Sequence, residues 1–202
     1  MLRAGRLEVG GGALVALALF FYLDPQGLFP LSLAACAAHE LGHLAVIRLL
    51  GGRVECMRVT LIGAEIRLKG MCRLSYPREA AAVLAGPGVN LLLAALCSGK
   101  APVFAGINLA LGLFNLLPIH PLDGGRLLYF LLAQLTREES AWTVCRVLAA
   151  ALTALAAAVG GLLLWKSGYN FTLLAAALWL AAALQRGRKG VANRRRNRYN
   201  ES

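Results

Sequence analysis

The chain has 202 residues, of which 58% are apolar and 15% charged, against about 25% charged in a typical soluble domain. The few charges stand between long uncharged blocks, which excludes an ordinary water-soluble domain. Several membrane crossings of about 20 residues each then leave room for little else. The net charge of +11 follows the same layout, with seven of the 21 Lys and Arg in 186–198 and six in 53–78, a pattern of membrane topology rather than of a nucleic-acid-binding face.

Taken in chain order, the uncharged blocks predict an α-helical polytopic membrane protein with six spans, at about 9–23, 28–50, 80–99, 101–122, 147–165 and 167–185. They form one domain over 1–185, followed by a basic tail over 186–202 that is expected to be solvated against anionic headgroups. The first block is the shortest and needs tilt or an interfacial Glu8 or Asp24. With Arg3 and Arg6 in the cytoplasm, six crossings put both termini and the segments 51–78 and 123–146 on the inner side. Lys100 and Lys166 then face outward against 19 basic residues inside.

Between the second and third spans, Met57 to Lys69 alternates apolar Val59, Leu61, Ile66 and Leu68 with polar neighbours around Gly63, which predicts a β-hairpin. Two strands are not stable alone in water, so the hairpin is expected to lean on the membrane helices and to offer an open edge to an extended peptide. The five cysteines show no C-x-x-C pair, which argues against a disulfide framework or a thiolate zinc site.

The second span carries His39-Glu40-Leu41-Gly42-His43, which spends two of the three histidines of the chain. Positions i and i+4 share a helix face, so both imidazoles can bind one Zn²⁺ while Glu40 beside them serves as the base that takes a proton from water. Three ionisable groups in five residues of a span are costly unless partnered, so packing alone is a poor account of them. A hydrolytic zinc needs a third protein ligand. Asp123 supplies a candidate, because Pro118, Pro121, Gly124 and Gly125 predict unwound backbone that aims a carboxylate inward. His43 lies about 10 Å of helix before the cytoplasmic end at Leu50, and Asp123 ends the fourth span on the same side. The candidate centre is therefore expected just inside the cytoplasmic leaflet.

These motifs, together with Ala85-Gly86-Pro87-Gly88-Val89-Asn90 and the run Asn115 to Arg126, resemble the site-2 protease family of intramembrane zinc metalloproteases over roughly residues 30–130. The resemblance implies one zinc per chain on His39, His43 and Asp123, Glu40 as general base, and Asn90 and Asn115 as cleft residues that contact substrate. It implies membrane-tethered protein substrates cut within or near the bilayer, and a membrane regulatory partner. The six-span layout is most similar to the sporulation subfamily that processes a pro-sigma factor, although the CBS domain of that subfamily is not expected here. His120 is expected at the cleft edge rather than on the metal, and Cys36 is expected to serve as packing. A zinc transporter would need ligands spread along a pathway, and a silent scaffold has no use for Glu40, so both rank below the protease.

Overall fold

A computed structural model describes residues 2–4, 7–9, 11–52, 54–60, 63–68, 75–169 and 171–185. The basic tail and the turn between the two strands of the expected hairpin lie outside the described residues. Where the sequence reads as one domain over 1–185, the chain divides into two compact units, Met1–Asn115 and Leu116–Ser202.

The first unit holds strands β1 (Leu2–Ala4), β2 (Leu7–Val9), β3 (Val54–Thr60) and β4 (Gly63–Leu68) and helices α1 (Gly11–Tyr22), α2 (Leu28–Leu49), α3 (Tyr76–Cys97) and α4 (Pro102–Asn115). The strands form one sheet in the order β1-β2-β3-β4. β3 and β4 pair antiparallel, with an irregularity between Val54 and Cys56, and β2 runs parallel to β3. Of the two edges of the hairpin, that of β3 is taken by β2, while β4 ends the order of the sheet. Strands as short as β1 and β2 carry no alternation to read; β1 pairs with the nearby β2, and the non-local pairing of β2 with β3 ties both into the sheet.

α2 has defined ends. Asp24 Oδ2 accepts a 2.7 Å bond from Phe29 N–H, which satisfies one of the donors a helix start leaves open and sets a carboxylate at the positive end of the dipole. At the other end Gly51 takes φ 84°, Gly51 N–H donates to Arg48 O at 3.0 Å, and Gly52 N–H donates to Ile47 O at 2.8 Å. This is the Schellman arrangement that terminates a helix at a left-handed glycine.

α3 packs on both α2 and α4, through small residues. Its buried face runs Ala80, Val83, Gly86, Pro87, Asn90 and Ala94, at helical spacing. A Cβ on Gly42 of α2 would come within 2.8 Å of Ala85 O, and one on Gly112 of α4 within 3.3 Å of the Asn90 Cβ. Close backbone approach through Gly and Ala is how helices associate where lipid removes the hydrophobic drive. Outward-facing Leu41 and Leu92 stay exposed, as helices facing hydrocarbon require.

In the second unit the chain runs irregularly from 116 to 122 and then forms α5 (Asp123–Leu135), α6 (Glu138–Ser167) and α7 (Thr172–Gln185). Ile119 and Leu122 of the irregular run pack with Ala149 and Leu180. Side chains on Gly124 and Gly125 would strike the backbone of Leu117 and Ile119, so the chain doubles back there only because both residues are glycine. α6 has 30 residues and is about 45 Å long, more than a hydrocarbon core of about 30 Å needs.

Among the described residues, α2, α3 and α6 are long and apolar enough to cross a membrane, and α4 and α7 are shorter apolar helices. Three expected spans shrink: 9–23 holds a helix of 12 residues, 101–122 one of 14, and 167–185 only the shorter helix Thr172–Gln185. The second ends at Asn115, three residues ahead of Pro118, because the irregular run packs into the core of its own unit instead of extending the helix. The segment 123–146, expected to be a polar connection, contains α5 and the start of α6.

Candidate metal centre

The helical repeat puts His39 and His43 of α2 on one face, where both are buried. Their rings meet nearly at right angles, 85° between planes, with centroids 4.7 Å apart. The two Nε2 atoms lie 3.1 Å from each other.

The outer nitrogens decide what that approach means. His43 Nδ1 lies 2.8 Å from Ala82 O, and a carbonyl oxygen only accepts, so Nδ1 carries the proton. His39 Nδ1 lies 2.5 Å from Asn90 Oδ1. The amide of Asn90 is oriented by its other end, since Nδ2 donates to Ala35 O at 3.2 Å and to Asn108 Oδ1 at 2.8 Å. His39 therefore also carries its proton on Nδ1.

With Nδ1–H turned outward on both rings, the two Nε2 atoms face each other, and a cation between them, a shared proton or a metal ion, satisfies both. Tetrahedral zinc at about 2.05 Å from each nitrogen would set them about 3.3 Å apart, close to the observed 3.1 Å. Nδ1–H donated to a carbonyl or amide oxygen is the outer hydrogen bond that metal-binding histidines make. Space for an ion is left by Gly86 of α3, whose Cβ would run into His43 Nε2 and come within 2.8 Å of His39 Nε2. The donor set and the missing side chain both fit a small divalent cation.

Glu40 follows His39 on α2 and is half-buried. Asn90 and Asn108 are fully buried, at 0% exposure. The amide of Asn90 is spent on His39, Ala35 and Asn108, which puts it behind the histidine rather than along a cleft where it was expected to meet substrate. Asn115 closes α4 half-buried, with Nδ2 donating 3.0 Å to Leu111 O of its own helix.

In the second unit Asp123 is buried at the first position of α5, where the helix dipole favours its carboxylate, and Arg126 Nη1 stands 3.7 Å from its Oδ1. The His120 ring meets Trp142 edge-on with centroids 5.3 Å apart, and Trp142 also meets Tyr129.

Sequence reasoning passed over Asn108 and the steric role of Gly86. Asn108 left a signal, as the one polar side chain in the apolar run 101–114, where an amide must find partners. The role of Gly86 left none, since it depends on which face of α3 meets α2.

Residues 101–159 match the model of Peptidase family M50. The chain is 37% identical over 127 residues to Rip3 of Mycobacterium tuberculosis, which bears a zinc metalloprotease name, a match covering 54% of this chain and 32% of that protein. It is 31% identical over 106 residues to stage IV sporulation protein FB of Bacillus subtilis, covering 48% and 37%. The matches thus span about a third of the length of these curated relatives, 32% and 37%. Among solved structures, the site-2 protease from Methanocaldococcus jannaschii superposes with a TM-score of 0.66 at 20% identity, over 92% of this chain and 93% of that one, so the fold is shared. In sequence the chain is thus similar to peptidase family M50 over residues 101–159 and to zinc metalloprotease relatives over about half of its length, and in fold it is similar to a site-2 protease.

Proposed function

We infer that the chain is a zinc-dependent endopeptidase of the bilayer that cuts membrane-tethered proteins within or near the membrane. The observation that carries this reading is the facing pair of Nε2 atoms at 3.1 Å, each with its outer nitrogen committed to an acceptor. Zinc is the metal named for the matched relative. His39, His43 and Asp123 are its proposed ligands, three buried donors of the kinds that hydrolytic zinc takes. Bound there, zinc would polarise the scissile carbonyl and acidify the attacking water.

The residues of the chain do the rest. Glu40, next to His39 on α2, accepts the proton of the water and returns it to the leaving amide nitrogen. Asn115, at the broken end of α4, is proposed to hold substrate backbone. The sheet supplies a β4 edge to which an unwound substrate can add as a strand, which offsets the helical hydrogen bonds it gives up. Six crossings, cytoplasmic termini and a site near the cytoplasmic leaflet remain the proposed topology, supported by the positive charge of the segments placed inside. A pro-sigma factor as substrate rests on the likeness to a sporulation protein.

The test is elemental analysis of the purified, detergent-solubilised chain beside His39→Ala, followed by cleavage assays on single-span substrates. One zinc per wild-type chain, none in the variant and cleavage by the wild type alone are expected. A folded wild type without zinc overturns the reading.

A further inference from the structure

Asn90 sits behind His39, and an amide side chain in that place can act in either of two ways. With Oδ1 toward the ring it accepts Nδ1–H and leaves Nε2 as a lone pair. Turned over, it donates from Nδ2 to Nδ1 and drives the proton to Nε2, where it occupies the position a metal needs. The difference lies in how the amide is held.

Two acceptors hold it. Ala35 O takes one N–H of Asn90 at 3.2 Å, and Asn108 Oδ1 takes the other at 2.8 Å. Asn108 is an amide with the same ambiguity, resolved in turn by Phe104 O, a carbonyl that only accepts, to which Asn108 Nδ2 donates at 2.9 Å. A chain of single-valued hydrogen bonds therefore runs from the backbone of α4, through Asn108 and Asn90, to Nδ1 of His39. Both amides are wholly buried, so no water competes for these bonds.

We propose that Asn108 is a positioning residue that, by fixing the Asn90 amide, sets the tautomer of His39 and holds its Nε2 ready for the metal. The proposal deepens the zinc-protease reading and rests on His39 as a ligand. Packing alone does not explain the residue well, since an apolar side chain of the same volume would join α3 and α4 without the cost of burying two amides.

The test uses the full chain in detergent, labelled with ¹⁵N-histidine. Spectra of the metal-free protein report which ring nitrogen of His39 carries the proton, and competition with a chelator reports the zinc dissociation constant. In Asn108→Leu the proton of His39 is expected to shift toward Nε2 and zinc binding to weaken about tenfold or more, the usual cost of losing an outer partner of a metal-binding histidine. Asn108→Asp is expected to restore both. The neutral acid has the same shape, a carbonyl to accept from Asn90 and an O–H to donate to Phe104 O. If Asn108→Leu does not fold, Asn108→Ala removes the same acceptor without adding bulk and carries the same expectations.

The proposal stands only if both readouts move. Weaker binding with the tautomer unchanged is what lost packing alone would give, and it overturns the proposal, as does an unchanged dissociation constant. A folded wild type that takes up no zinc overturns His39 as a ligand instead, and the metal-free spectra then decide the role of Asn108 by themselves.

Discussion

Gly86 of α3 stands so close to His39 of α2 that a Cβ on it would lie 2.8 Å from Nε2. Carbon and nitrogen at that separation overlap, and the same Cβ would also strike His43. Gly86→Ala is therefore expected to turn one or both rings off their outer partners and to lower zinc affinity at least about tenfold. Helix content by circular dichroism should be unchanged. Wild-type affinity in a folded Gly86→Ala protein would show that the metal is held elsewhere.

Glu40 precedes no ligand bond in the proposed scheme and acts only on protons. Glu40→Gln should hold the same zinc stoichiometry as the wild type while cleavage of a single-span substrate falls by about 10²–10⁴, the usual contribution of a positioned base. Equal cleavage by the variant would remove the assigned role.

A ligand that binds only the folded state stabilises it, by about 2.7 kcal/mol when the free metal is a hundred times its dissociation constant. Added zinc should accordingly raise the thermal midpoint of the chelator-stripped wild type and leave that of His43→Ala where it was. The comparison is a melting curve of each protein with and without metal. A matching rise in the variant would assign the stabilisation to adventitious binding.

In the second unit a Cβ on Gly160 of α6 would come within 2.7 Å of Leu174 N of α7, against backbone that cannot step aside cheaply. Gly160→Leu should force the two helices apart and lower stability by about 1–3 kcal/mol, read as a drop in thermal midpoint. Gly161, beside it, faces open space, and Gly161→Leu should leave the midpoint near that of the wild type.

The sequence makes the imidazole pair legible because one helical turn suffices to join residues four apart, and α2 begins and ends within a residue of its predicted bounds, 28–50 against Leu28–Leu49. What it hides is what other elements decide. α5 reads as a connection because Asp123-Gly124-Gly125-Arg126 has the composition of a turn, yet the apolar run that follows carries the helix from Asp123 onward. The 14-residue length of α4 depends on Ile119 and Leu122 finding a core after the helix stops. The positioning of His39 by Asn90 joins residues 51 apart in the chain, a distance at which no pattern on either helix predicts a contact.

Both rings that face one another belong to α2, but both groups that aim them, Asn90 and Ala82 O, belong to α3. The helix that donates no nitrogen thus calibrates the pair, and metal affinity becomes a gauge of how α2 and α3 are registered along their seam. A slide of a fraction of a turn between them would leave every donor in place and still mistune the centre. Gly42 leaves no room for a side chain against Ala85 O, so the two helices meet there with only backbone between them.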